Sequence, residues 1–194
     1  MKLRFLATVV LLALTTVAAH AQAGLYINPI AIRAGNSVAD SGPFAFLGQN
    51  STSNVFYGVN LGGYYDFHRA GNGITTGIDI RQSVLHANNA ALKEFLIGVR
   101  VSAGPFSRPF KPYVEATVGV GSTKAPVSDV SIKKVDYRFY GGLDYTLQRH
   151  VDFRVVEIGY GSLTTVSSDT VGGTLSVPAT GLLSFSTGLV FRFP

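Results

Sequence analysis

The chain contains no cysteine and no tryptophan, and only 14% of its 194 residues are charged. Without cysteine there is no disulfide framework, no thiolate nucleophile and no cysteine-ligated metal. The charged fraction is well below the about 25% of ordinary globular proteins, too little to cover a wholly water-facing surface with ease. A surface that faces lipid has no such need. Basic residues give a formal net charge of +5, but Lys2 and Arg4 supply two of these charges and the longest later basic run is Lys133-Lys134. That is too little for a nucleic-acid-binding surface, and no nucleic-acid partner is expected. Long apolar runs are scarce too, and only Phe5 to Ala18 stands out.

That run is shorter than the about 20 residues of a membrane-spanning helix and has the length of a signal-peptide core. It follows the basic pair Lys2 and Arg4, and small residues come next at Ala19-His20-Ala21, with Ala21-Gln22-Ala23 as a second choice. Residues 1–21 are therefore expected to be a cleaved signal peptide, with an alternative cut after Ala23. No cysteine follows the run to carry a lipid anchor. The remaining chain, about 170 residues, fits one domain.

What is abundant is glycine, with 22 residues, and aromatic side chains at 11%. They sit in segments where charge and apolarity alternate one for one. Asp136, Arg138, Tyr140, Gly142 and Asp144 share one parity; Val135, Tyr137, Phe139, Leu143 and Tyr145 share the other. A β-strand sends successive side chains to opposite faces, so such a strand has one charged and one apolar face. The pattern recurs. Ile74, Thr76, Ile78 and Ile80 oppose Thr75, Gly77, Asp79, Arg81 and Ser83; Phe95, Ile97, Val99 and Val101 oppose Glu94, Gly98, Arg100 and Ser102. Val114, Ala116, Val118 and Val120 oppose Tyr113, Glu115, Thr117, Gly119 and Gly121, and Leu183, Phe185, Leu189, Phe191 and Phe193 oppose Ser184, Ser186, Gly188 and Arg192.

Eight strands are predicted, at 24–33, 55–66, 74–86, 93–103, 111–123, 135–147, 151–163 and 180–193. Each is long enough to cross a bilayer at the usual tilt. In the seventh, Arg154 and Glu157 fall on opposite parities, and a bulge at Val155-Val156 would return both to the charged face. The first, with Pro29 inside it, has no clear phase. The all-β arrangement that fits is an eight-stranded antiparallel up-and-down transmembrane barrel over residues 24–194, charges inside and apolar residues toward lipid. The reverse would put Asp79, Arg81, Arg100, Asp136 and Arg138 in hydrocarbon, at about 2–4 kcal/mol for each basic residue near the midplane. Connections at 34–54, 87–92, 124–134 and 164–179 fall on the outer side, and those at 67–73, 104–110 and 148–150 on the periplasmic side. Gly71, Asn72, Gly73, Gly104 and Pro105 supply turn residues to the latter.

Three stretches resemble the outer-membrane β-barrel domain family, the small eight-stranded barrels of the OmpA, OmpX and opacity-protein kind. Phe110-Lys111-Pro112-Tyr113-Val114-Glu115-Ala116 looks like the family's Pro-Tyr-x-glutamate strand start, and Gly141-Gly142-Leu143-Asp144-Tyr145 with Val151-Asp152-Phe153-Arg154 like its paired-glycine hairpin. Ser186, Gly188, Phe191 and Phe193 are similar to the terminal signal that barrel-assembly machinery reads, although Pro194 follows the final aromatic residue. The resemblance implies a place in the cell outer membrane, among lipid and lipopolysaccharide, with barrel-assembly machinery as a partner in biogenesis.

The parity assigns Asp79, Arg81, Glu94, Arg100, Glu115, Asp136, Arg138, Asp144, Asp152, Arg154, Glu157 and Arg192 to the lumen. An eight-stranded barrel is just wide enough for its side chains to fill, so these charges are expected to pair and plug it, with Gly77, Gly98, Gly119, Gly142 and Gly188 leaving some room. Catalysis has one weak constellation, His86 near Ser83 at the outer end of the third strand, and His68 and His150 lie in periplasmic turns. Gly119-x-Gly121 has no following helix to make a nucleotide loop, and the carboxylates are spread over strands and balanced by arginines. No catalytic, cofactor or metal site is expected. The expected role is structural or surface-interacting, with loops 34–54 (Phe44, Phe46 and Leu47) and 164–179 open to an extracellular ligand. A small low-conductance porin is the alternative, and a lipid-A-modifying hydrolase the third reading.

Overall fold

The computed structural model describes residues 22–70, 73–104, 109–128, 130–164 and 179–193. The expected signal peptide with Ala19 and Ala21, the turn residues Gly71, Asn72 and Pro105, most of loop 164–179, and Pro194 lie outside the described residues. Eight strands run in sequence: β1 (Gln22–Gly35), β2 (Ser53–Arg69), β3 (Ile74–Ala87), β4 (Ala90–Ala103), β5 (Phe110–Lys124), β6 (Ser131–Gln148), β7 (Val151–Thr164) and β8 (Thr180–Phe193). Each pairs antiparallel with the next, and β8 pairs with β1. Closure leaves no open sheet edge, the condition a sheet must meet in hydrocarbon.

Gln22 and Phe193 lie at the same end of the barrel, with Ala23 opposite Phe193. The connections at that end, 70–73, 104–109 and 149–150, are short; those at the other end include 36–52 and 165–179. Outer-membrane barrels turn short connections to the periplasm and long ones outward, which defines an inner and an outer end. The connection expected over 87–92 is shorter than that. Asn88 and Asn89, with φ of 44° and 66°, close a two-residue hairpin between Ala87 and Ala90. Two consecutive positive φ values give the turn whose twist matches that of paired strands.

The faces follow the parity. Along neighbouring strands Ile80, Ile97, Val118 and Tyr137 form one lipid-facing row, and Ile78, Val99, Ala116 and Phe139 the row below it. The β7 bulge is present: the register against β8 shifts between Arg154 and Glu157, and both side chains are buried. Phase in β1 is also settled, with Tyr26, Asn28, Ile30 and Ile32 inward. Pro29 points outward, and the β1–β8 ladder has no pair between Ile27↔Leu189 and Ile30↔Ser186. The missing proline N–H thus falls in that gap, in a strand otherwise paired on both sides.

Candidate functional site

Most of the charged side chains on the described strands converge in the lumen. β3 sends Asp79, Arg81 and Ser83 inward; β4, Glu94 and Arg100; β5, Tyr113 and Glu115; β6, Asp136, Arg138, Tyr140 and Asp144; β7, Asp152, Arg154 and Glu157. Because they alternate with apolar residues along each strand, all arrive on the same side of one closed sheet.

At mid-height Arg81 is shared by three acids. Its Nε lies 3.1 Å from Asp79, Nη2 2.7 Å from Glu115 and Nη1 3.2 Å from Glu157. Glu157 also meets Arg154 Nη1 at 3.2 Å and accepts from Tyr113 Oη at 2.6 Å and Ser186 Oγ at 3.0 Å. Toward the outer end, Arg138 donates to Asp136 at 2.7 and 3.1 Å and bonds Glu94. Toward the inner end, Asp144 bridges Arg154 and Arg100, each at 3.0 Å. Asp152 lies 3.2 Å from Lys111 Nζ and 2.7 Å from Arg192 Nε, the latter without hydrogen-bond alignment. All twelve of the charged residues assigned to the lumen are in these clusters. Lys111 was missed, although it shares the parity of Tyr113 and Glu115.

Four tyrosines were also missed as members of the site. Tyr26 donates to Asp79 at 2.8 Å, and Arg100 lies between the rings of Tyr64 and Tyr113, 4.3 and 3.8 Å from their centroids. Arg81 stands 3.9 Å from the centroid of Tyr140. Each ring lies over a glycine directly across the ladder: Tyr26 over Gly62, Tyr64 over Gly24, Tyr113 over Gly142 and Tyr140 over Gly159. A Cβ at any of the four would collide with the ring. The room expected at Gly142 is therefore filled by Tyr113. Below Arg100 the lumen widens into a cavity of about 200 Å³, lined by Tyr64, Asp66, Lys111, Asp152 and Arg192 among others. Arg100 Nε and Nη1 and Asp66 Oδ1 have no hydrogen-bond partner among the described residues, as suits a hydrated vestibule.

The outer mouth is built differently. Ile30, Ile32, Phe56, Leu85, Leu92, Leu163 and Leu182 line it, and Phe46 and Leu47 of the first outer loop are buried among them. Phe46 stacks on Phe56 with centroids 4.6 Å apart and planes 12° from parallel. The loop is shaped to reach inward. Asp40 Oδ2 accepts from Leu47 N at 3.0 Å, Asp40 N donates to Ser51 O and Asn50 N to Asp40 O, both at 2.9 Å. Gly42 and Gly48, with φ of 84° and 100°, make the reversals a side chain would resist. The expectation that Phe46 and Leu47 stand open to a ligand is therefore corrected: of the three apolar residues only Phe44 is exposed. Burial against the mouth outweighs solvation for side chains of this size.

The weak His86–Ser83 constellation does not assemble. Ser83 is lumen-facing and buried, whereas His86 is exposed on the opposite face of β3. Odd separation on a strand puts two residues back to back. His68 is exposed, and His150 Nδ1 lies 3.3 Å from the carbonyl of Arg192. Among the described residues no three of His, Cys, Asp or Glu are grouped to hold a metal ion. On β8, Ser186 and Gly188 face inward, Gly188 against Asn28, while Phe191 and Phe193 are exposed toward lipid.

The solved structures similar to this chain include two small barrels of the same fold. Neisserial surface protein A is 16% identical with a TM-score of 0.59, and Ail, the attachment invasion locus protein of Yersinia pestis, is 12% identical with a TM-score of 0.56. Each match covers 90% of this chain and 100% of the other. No curated protein matches the sequence at a significant level. The family described as outer membrane protein beta-barrel domain matches residues 6–193. With the closed eight-stranded sheet, the lipid-facing apolar rows and the inward charges, that match identifies the chain as a member of the outer membrane protein beta-barrel domain family, resident in the cell outer membrane.

Proposed function

We propose that this protein is a closed, non-enzymatic barrel with a structural or surface-interacting role, its lumen plugged by ion pairs. The carrying observation is the stack inside the barrel: an ionic layer from Asp152 to Glu94, roofed by Phe46 and Leu47. Buried guanidinium and carboxylate groups that satisfy one another resist separation, because parting them leaves a charge in low dielectric. An ion would have to break that layer and displace the apolar roof. A surface role draws support from Val38, Phe44 and Val127, which expose apolar side chains on outer loops, and from the likeness to a Neisserial surface protein and to an attachment invasion locus protein. A non-enzymatic role draws support from the separation of His86 and Ser83 across β3.

Planar-bilayer recording tests the plug. Purified protein is expected to insert without resolved conductance steps; reproducible small steps would favour the low-conductance porin, for which the inner vestibule would be the entrance. Mass spectrometry of lipid A after overexpression tests the hydrolase reading, with unchanged lipid A expected.

A further inference from the structure

Negative charge on the described strands is confined to the lumen side of the wall, whereas basic residues lie on both sides. Every carboxylate on a described strand, from Asp66 to Glu157, faces the lumen and is buried. The lipid-facing strand residues that are basic, among described side chains, are Arg33, Lys93, Lys124 and Lys133, and all four lie at the outer end. Three of them gather on one side. Lys93 of β4 is opposite Ser122 of β5, which is opposite Lys133 of β6. One step toward the outer end, Ala91 is opposite Lys124, and Lys124 is opposite Ser131. Ser122 Oγ and Ser131 Oγ are 3.0 Å apart between the lysines.

The row immediately below is Phe95, Val120 and Val135, and the next is Ile97, Val118 and Tyr137. The change from apolar to basic thus takes place in one step of the pleat, at the boundary of the hydrocarbon. That is the height at which the anionic groups of outer-leaflet lipid lie. Adjacent strands are about 4.8 Å apart, so Lys93 and Lys133 are about 10 Å apart at their backbones and their side chains can close on one group above Ser122. Ammonium groups carry their stems along the apolar surface while the heads reach polar ground.

We propose that Lys93, Lys124 and Lys133, with Ser122 and Ser131 between them, bind a phosphate of the phosphorylated glycolipid in the outer leaflet. The site deepens the expected lipopolysaccharide partnership. It rests on the outer-membrane placement and not on the closed lumen, so bilayer recording and lipid binding can fail separately. The β5–β6 connection carries one carboxylate, Asp129, outside the described residues.

The test uses the folded barrel in neutral detergent, titrated with bisphosphoryl lipid A and with lipid A stripped of both phosphates, bound lipid being counted by native mass spectrometry. Phosphorylated lipid A is expected to bind and the stripped form to be lost on dilution. A lysine near an anionic surface contributes about five-fold in affinity, so Lys133→Gln alone should weaken binding about five-fold and Lys93→Gln with Lys133→Gln about 25-fold. Replacing both by arginine should retain binding, and Arg33→Gln, on the far side of the barrel, should change it less than two-fold. Heat-dependent gel mobility verifies that each variant is folded. Equal binding of the two lipids, an unchanged double variant, or an equal loss in Arg33→Gln would overturn the proposal. Displacement of lipid A by inorganic phosphate at matched concentration would also overturn it, since the site would then recognise a free anion.

Discussion

Replacing Arg138 by leucine should unfold the barrel far more readily than replacing its neighbour Phe139. Arg138 holds Asp136 with two hydrogen bonds, at 2.7 and 3.1 Å, and also bonds Glu94; all three side chains are buried. Leucine fills part of the space but leaves two carboxylates facing each other without a cation. Removing one partner of a buried pair costs about 3–5 kcal/mol, and Glu94 and Asp136 have no other ion pair among the described residues. The Tyr140 hydroxyl, 3.4 Å from Nη1, is neutral and loses little. Phe139 is 66% exposed and faces lipid, so leucine there stays apolar in an apolar solvent. The assay is urea unfolding in lipid vesicles, followed by the gel mobility of folded and unfolded forms. Arg138→Leu should lose most of its resistance to urea, Phe139→Leu very little. Adding Glu94→Gln and Asp136→Asn to Arg138→Leu should restore much of the loss, because no stranded charge remains. A near-neutral Arg138→Leu beside a badly destabilised Phe139→Leu would mean that the faces are reversed and the barrel is soluble with an apolar core.

Phe193→Ala should lower outer-membrane insertion more than Phe153→Ala, although both remove a lipid-facing ring, because only Phe193 belongs to the terminal signal; equal yields in membrane fractions would make that resemblance coincidental. Phe46→Ala should lower stability by about 3–5 kcal/mol, the range for truncating a buried phenylalanine, whereas Phe44→Ala, exposed on the same loop, should cost little by urea unfolding. N-terminal sequencing of protein from the membrane fraction should return Gln22 or Gly24; Met1 would defeat the signal-peptide proposal.

Strand parity was legible wherever the lumen face carries charge. On β3, β4 and β6 the charged inward positions contrast with apolar neighbours, although Leu85, Leu92 and Leu96 also face inward, and even the β7 bulge could be placed, because Arg154 and Glu157 disagree by one residue. β1 could not be phased, for a physical reason. Its inward residues near the mouth, Ile30 and Ile32, are as apolar as the outward Leu25 and Ile27, since the mouth is roofed by hydrocarbon side chains rather than water. Burial of Phe46 and Leu47 depends on contacts with Phe56, Leu92 and Leu182, on three other strands, which no local pattern encodes. The tyrosine–glycine pairs needed the register: Tyr26 meets Gly62 only because β1 and β2 pair as they do. His86 and Ser83 are near in sequence but lie on opposite faces, because their odd separation spans the pleat.

The chain has no tryptophan, so a single introduced indole reports without background. Phe139 and Tyr140 are adjacent on β6, one exposed toward lipid and one buried in the lumen. Phe139→Trp and Tyr140→Trp, each folded into vesicles of lipid brominated along the acyl chain, place the probe on the two faces at nearly the same depth. The Phe139→Trp emission should be strongly quenched by the bromines and the Tyr140→Trp emission left nearly unchanged. Quenching of Tyr140→Trp but not Phe139→Trp would put the charges toward lipid and contradict the account.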